Sequence, residues 1–230
     1  LKDAVKEIKK VAKVDPVSAA DGAVILMERI WPALECVDSS SGAIGSTAGW
    51  TLTELLPIVI DAPADRKTRD LWLDRLYQAI LEDGVDFLWL PQERWGQLCG
   101  SVEVSSQWVN EILPLLKAAW TDPRPGGYVR ETCMCLSSLL AAGRHEELFD
   151  LLALQRFPYW SYRKFGVQAL CAEGRIEEAL PNPFSPLSTP MAKAYNRTMR
   201  KRWSGGAGHL TRVIPGHSST SALRPTWAKA

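Results

Sequence analysis

At 230 residues, 46% hydrophobic and 23% charged, the chain is long enough for one large domain or two small ones and apolar enough to bury a core. Its net charge of +1 excludes a uniformly basic or acidic protein but hides a switch. Residues 1–180 hold 19 Lys and Arg against all 26 acids, whereas residues 181–230 hold 8 bases and no acid.

The chain starts at Leu1 rather than Met, which fits a fragment or an alternative start, and shows no signal-peptide core. A cytoplasmic setting is expected. No run of 18 consecutive apolar residues suggests a membrane span. Residues 2–13 read as a helix with Val5, Ile8 and Val11 on one side and lysines on the other. Asp15-Pro16 is a helix start, an N-cap followed by Pro at the first helical position. The helix it opens should reach about Val37, kinked at Pro32. Ser39–Ser46 reads as a flexible Gly/Ser loop. It lacks the Lys of a Walker A motif and a preceding buried strand, so it is not read as a phosphate loop.

An apolar helix is expected over 47–60, with Pro57 inside it. Asp65 can cap the next helix, whose Leu73, Leu76, Tyr77 and Ile80 recur at helical spacing before a stop at Gly84. A Trp-rich stretch (Trp89, Pro91, Trp95) allows one or two helical turns, with four residues of strand conceivable at Phe87–Leu90. Ser101 then starts a long helix with Val109, Ile112, Leu113, Leu116 and Trp120 as its stripe and Pro114 inside.

A phrase occurs twice further on. Ala141-Ala142-Gly143-Arg144-His145-Glu146-Glu147-Leu148 is matched by Ala172-Glu173-Gly174-Arg175-Ile176-Glu177-Glu178-Ala179, with the glycines 31 residues apart. Each copy follows an apolar helical run. The Gly suits the left-handed residue that ends a helix, and the two Glu suit the first turn of the next. The unit is an antiparallel helix hairpin, and a period of this length is that of helical repeat arrays. The aromatic and basic stretch Gln155–Lys164 connects the hairpins, with Trp160 and Phe165 expected to wedge between them. After Leu180 come Pro181, Pro183, Pro186 and Pro190, so the last helix is cut short.

This phrase, within residues 128–180, resembles the hairpin turn of tetratricopeptide-like repeats. A second pattern, Leu55-Leu56-Pro57-Ile58-Val59 leading to Asp65 and Arg69, and Ile112-Leu113-Pro114-Leu115-Leu116 leading to Asp122-Pro123 and Arg130, resembles a HEAT-type repeat. The region before the prolines is similar to uncharacterised bacterial helical-repeat proteins. The resemblance implies an α-solenoid that binds other proteins along a concave face.

Chemistry is hard to find. His145-Glu146-Glu147-Leu148-Phe149 begins like a zinc-binding helix but has Phe149 where the second His should stand. No G-x-S-x-G elbow occurs. The five cysteines (Cys36, Cys99, Cys133, Cys135, Cys171) are odd in number, lack a CxxC pair and sit in apolar runs. They read as buried free thiols, not a disulfide framework or a metal site.

The reading is therefore all-α. Residues 1–180 form a helix-hairpin array, and residues 181–230 form a Pro/Ser/Arg-rich tail expected to be disordered, with the composition of a frameshifted read-through. The leading function is a non-catalytic protein-interaction scaffold, truncated in its last repeat. It needs no cofactor or metal and contacts a protein or peptide partner through Arg130, Trp160, Tyr162, Arg163 and Arg175. The alternatives are a helical enzyme, or nucleic-acid binding by the tail through Arg197, Arg200, Lys201, Arg202 and Trp203.

Overall fold

The computed structural model describes residues 1–35, 37, 42–122, 128–155 and 159–179. Among them there are helices and no strand: the fold is all-α.

The first helix, α1 (Lys2–Val11), buries Val5 and turns its lysines outward. In α2 (Pro16–Glu28) the Asp15 carboxylate accepts the Ser18 amide, and Pro16 occupies the first turn as expected. The helix breaks at Arg29, three residues before Pro32, and resumes as α3 (Ile30–Leu34). Pro32 has no N–H for the carbonyl of Glu28 and its ring crowds that group, so the break falls one turn upstream of the proline.

α4 (Ala43–Asp61) begins earlier than expected: Gly42 takes the left-handed conformation, and Ala43–Ser46 form a helical turn instead of loop. The Ser46 and Thr47 hydroxyls fold back onto the Gly42 and Ala43 carbonyls. By length and composition α4 is apolar enough to cross a membrane. Its row Ala48, Leu52, Leu55, Leu56 and Val59 is nevertheless buried, and the helix packs on α2 and on two short helices further along, at 89–93 and 95–99.

α5 (Arg66–Glu82) is capped by Asp65, which accepts the Thr68 amide. It buries Leu73, Leu76, Tyr77 and Ile80, and reaches α2 through Arg75–Glu28 and Trp72–Asp21. The turn after it holds no strand at Phe87–Leu90. The Asp83 carboxylate accepts the amides of Val85 and Leu88, and α6 (Trp89–Glu93) starts at once.

α7 (Trp95–Cys99) and α8 (Val102–Thr121), the latter capped by Ser101, complete the centre. Trp95 and Trp108 meet edge to face at 5.0 Å, and Tyr77 meets Trp108 at 5.2 Å.

α9 (Thr132–Ala141) is followed by α10 (His145–Ala153), α11 (Trp160–Ala172) and the single turn α12 (Ile176–Ala179). α9 is buried on all sides, because α6, α7, α8, α10 and α11 pack around it. Its sequence, Thr-Cys-Met-Cys-Leu-Ser-Ser-Leu-Leu-Ala, has little polar face to expose. Small residues let the helices close up: Gly96 of α7 lies directly against Ser137 of α9.

Two arginines stitch helix ends together. Arg69 is buried, and its guanidinium donates to the carbonyls of Val59, Ala62 and Leu98, where α4 and α7 end. Arg130 donates to the carbonyls of Ile80 and Asp83, where α5 ends. Helix C-termini carry unpaired carbonyls and partial negative charge, so an arginine fork satisfies both.

Candidate partner surface

The repeated phrase folds the same way twice. At the first copy the Gly143 amide donates to the Leu140 carbonyl and the Arg144 amide to that of Leu139. At the second the Gly174 amide donates to Cys171 and the Arg175 amide to Leu170. Both glycines are left-handed, with φ +68° and +74°. This is the Schellman ending, in which two amides beyond the helix close on its last turn.

The arginine of the phrase has a job that sequence reading missed. Arg144 holds the Glu147 carboxylate by two hydrogen bonds at 2.6 and 2.8 Å, and Arg175 holds Glu178 at 2.7 Å in the same way. The i, i+3 spacing was there to be read. Glu147 and Glu178 titrate below the usual carboxylate range because of these arginine hydrogen bonds. The two corners also touch: His145 Nδ1 lies 2.8 Å from a Glu173 carboxylate oxygen, and the other oxygen takes Arg175 at 2.9 Å.

Two of the expected partner contacts have partners within the chain, though Arg175 stays exposed. Arg130 lies on the end of α5, and Arg175 is held by Glu173 and Glu178 with its guanidinium 5.6 Å from the Phe149 ring. The other three, Trp160, Tyr162 and Arg163, lie in the first turn of α11, where Trp160 and Tyr162, two residues apart, point to nearly opposite sides. Trp160 is 57% exposed and so does not wedge between hairpins; Phe165, buried, does. Five residues of helix turn the chain by roughly 140°, so the two rings face apart.

An aromatic cluster surrounds this start. Tyr162 lies 5.9 Å from Trp120 and 5.8 Å from Tyr159, and Tyr128 and Tyr159 are exposed beside it. Burial, with the nearby Cys133 thiol adding to it, pushes the Tyr162 phenol up to about 12. Lys164, one residue beyond Arg163, pairs with Glu93 of α6. The surface is thus aromatic with Arg163 at its edge, residue types favoured where proteins meet.

Converging reactive groups are harder to find. A recess of about 450 Å³ lies between α1, α3 and α4, lined by Leu1, Lys2, Asp3, Leu34, Ile44 and Thr47 among others. Among the described residues no group of three His, Cys, Asp or Glu could hold a metal ion. The tail residues Arg197, Arg200, Lys201, Arg202 and Trp203 lie outside the described residues.

No protein-family model matches this chain, and neither a curated protein nor a solved structure matches it. The surface at the start of α11 therefore stands on its own geometry. One sequence expectation about thiols also changes: Cys99 and Cys135 are buried and Cys133 is half-buried, but Cys171 is exposed on α11, and Cys36 lies outside the described residues.

Proposed function

We propose that this chain is a helical-repeat scaffold that binds a protein partner through the aromatic surface at the start of α11. The observation that carries the reading is the cluster of Trp120, Tyr128, Tyr159 and Tyr162 at the start of α11, with Trp160 exposed on the side of the helix away from Tyr162. Large rigid aromatics left at a surface offer contact area at low entropic cost. Support for the array comes from its packing, in which the helices with substantial mutual contact lie no more than three places apart in chain order. That locality is the mark of a solenoid, as is a corner repeated with the same bonds.

The test is site-specific photocross-linking in the native host. Benzoylphenylalanine in place of Tyr159 or Trp160 should capture one protein, and in place of Leu71, exposed on α5, should not. Capture of nucleic acid alone, or equal capture at all three positions, defeats the proposal.

A further inference from the structure

We infer that the face formed by α1 and α4 rests on an anionic lipid bilayer without crossing it. This face does not include the start of α11, and the inference does not rest on the scaffold reading.

The lysines come first. Lys2, Lys6 and Lys9 of α1 and Lys13 just beyond it recur at i, i+4, i+7 and i+11 and so share one face, with Lys10 beside them. All five are exposed. They are five of the six bases that precede Arg66. Two acids share the helix: Asp3 is exposed, and Glu7 lies 3.9 Å from Lys10. Lys9 pairs with Glu54 of α4, which sets the lysine row beside that helix. Lys2, Lys6 and Lys13 make no ion pair among the described residues, and residues 181–230 hold no acid that could neutralise them.

α4 supplies the second element. Its residues Ser46, Trp50, Thr53 and Pro57 recur at the same spacing and are exposed, and the helix holds no charged residue before Glu54. Trp50 is 39% exposed and stands one turn before Glu54, next to the junction with Lys9. The Ser46 and Thr53 hydroxyls donate to the Gly42 and Gly49 carbonyls. Their donors are thus satisfied without water, which lowers the cost of pressing this face into headgroups. Asp61 closes the row at its far end. Beyond Lys13, at the turn from α1 to α2, Val14 is 88% exposed.

Charge and polarity together select the occupant. Each lysine near an anionic bilayer strengthens binding by about fivefold. Tryptophan settles at the level of the headgroups, where an uncharged helix face can lie beside it. A nucleic acid would use the lysines but leave the outer row of α4, which carries no base, without a role. α4 has the composition of a membrane span, yet its inner row is buried and packs on α2, so it lies along the bilayer instead of through it.

The test is flotation of the full 230-residue chain with vesicles of phosphatidylcholine, with and without phosphatidylserine. Binding is expected only with phosphatidylserine and should fall as salt rises. The joint replacement Lys2→Gln, Lys6→Gln and Lys13→Gln should weaken it on the order of a hundredfold. Trp50→Ser should weaken it too and leave its salt dependence in place. Circular dichroism of both variants separates lost binding from lost fold, since all four side chains are exposed. No vesicle binding, or equal binding with and without phosphatidylserine, overturns the inference. So does binding that the triple variant leaves unchanged, because the bases of residues 181–230 would then be the contact. Vesicle binding untouched by Trp50→Ser, or capture of an oligonucleotide in its place, does the same.

Discussion

The amide of Gly96 donates to the hydroxyl of Ser137 at 3.0 Å, and a Cβ on Gly96 would stand 2.2 Å from the Ser137 carbonyl oxygen. α7 and α9 are therefore in backbone contact at a point where no side chain fits. Gly96→Ala has to push the two helices apart, and overpacking of this kind costs about 1–3 kcal/mol. Gly49, inside α4, has nothing within 4 Å of its would-be Cβ. Gly49→Ala should stabilise by about 0.5–1 kcal/mol through helix propensity. Urea unfolding of the two variants should move in opposite directions.

Arg69 makes a second prediction. Its three carbonyl acceptors lie on two different helix ends. Arg69→Met keeps the stem but leaves those carbonyls unsatisfied, at about 1–3 kcal/mol for each one that water cannot reach. Arg69→Lys should recover only part of the loss, because a single ammonium cannot fork across separate carbonyls. Denaturation midpoints ranked wild type, Lys, Met would bear this out; a Lys variant equal to wild type would not.

The thiols should separate by reactivity. Burial pushes Cys99, Cys133 and Cys135 up to about 12, so they stay protonated and poorly nucleophilic at pH 8. Cys171 is exposed on α11. Iodoacetamide under native conditions, mapped by mass spectrometry, should label Cys171 well before the other three, and denaturant should remove the difference.

Acid should loosen the two corners. Glu147, Glu173 and Glu178 are all held below the usual carboxylate value of 4.5 by their arginine partners, Glu173 with help from His145. A carboxylate with a depressed folded-state value contributes stability above its unfolded value, and loses it as pH falls through the folded one. Amide exchange at Arg144 and Arg175, corrected for intrinsic rates, should therefore accelerate below about pH 4.5. Arg144→Gln should abolish that dependence at the first corner and leave it at the second.

What was legible in the sequence is what is local. The caps Asp15, Asp65 and Ser101, the left-handed glycines of the phrase and the stripe of α5 all depend on residues a few places apart. What was not legible depends on distance. Arg130 binds carbonyls about fifty residues back, and nothing in its own neighbourhood says so. The burial of α9 on every side needed the positions of five other helices. Two misses were nonetheless within reach of geometry. Proline acts on the carbonyl four residues before it, which puts the break near Glu28, and Trp160 and Phe165 cannot face the same way on one helix. At the candidate surface, Trp160, Tyr162 and Arg163 were visible as neighbours in the chain, while Trp120 and Tyr128 come to Tyr162 only through folding.

The corner at Gly143 has one more consequence. The bonds that shape its backbone, and the Arg144 clamp on Glu147, all lie between Ser138 and Leu148. Arg144 also donates to Asn110 and His145 meets Glu173 beyond that stretch. The corner is thus portable. Grafted between two unrelated helices, those few residues would bring their own geometry with them, and a designer could reverse a chain with it without copying anything else from this protein.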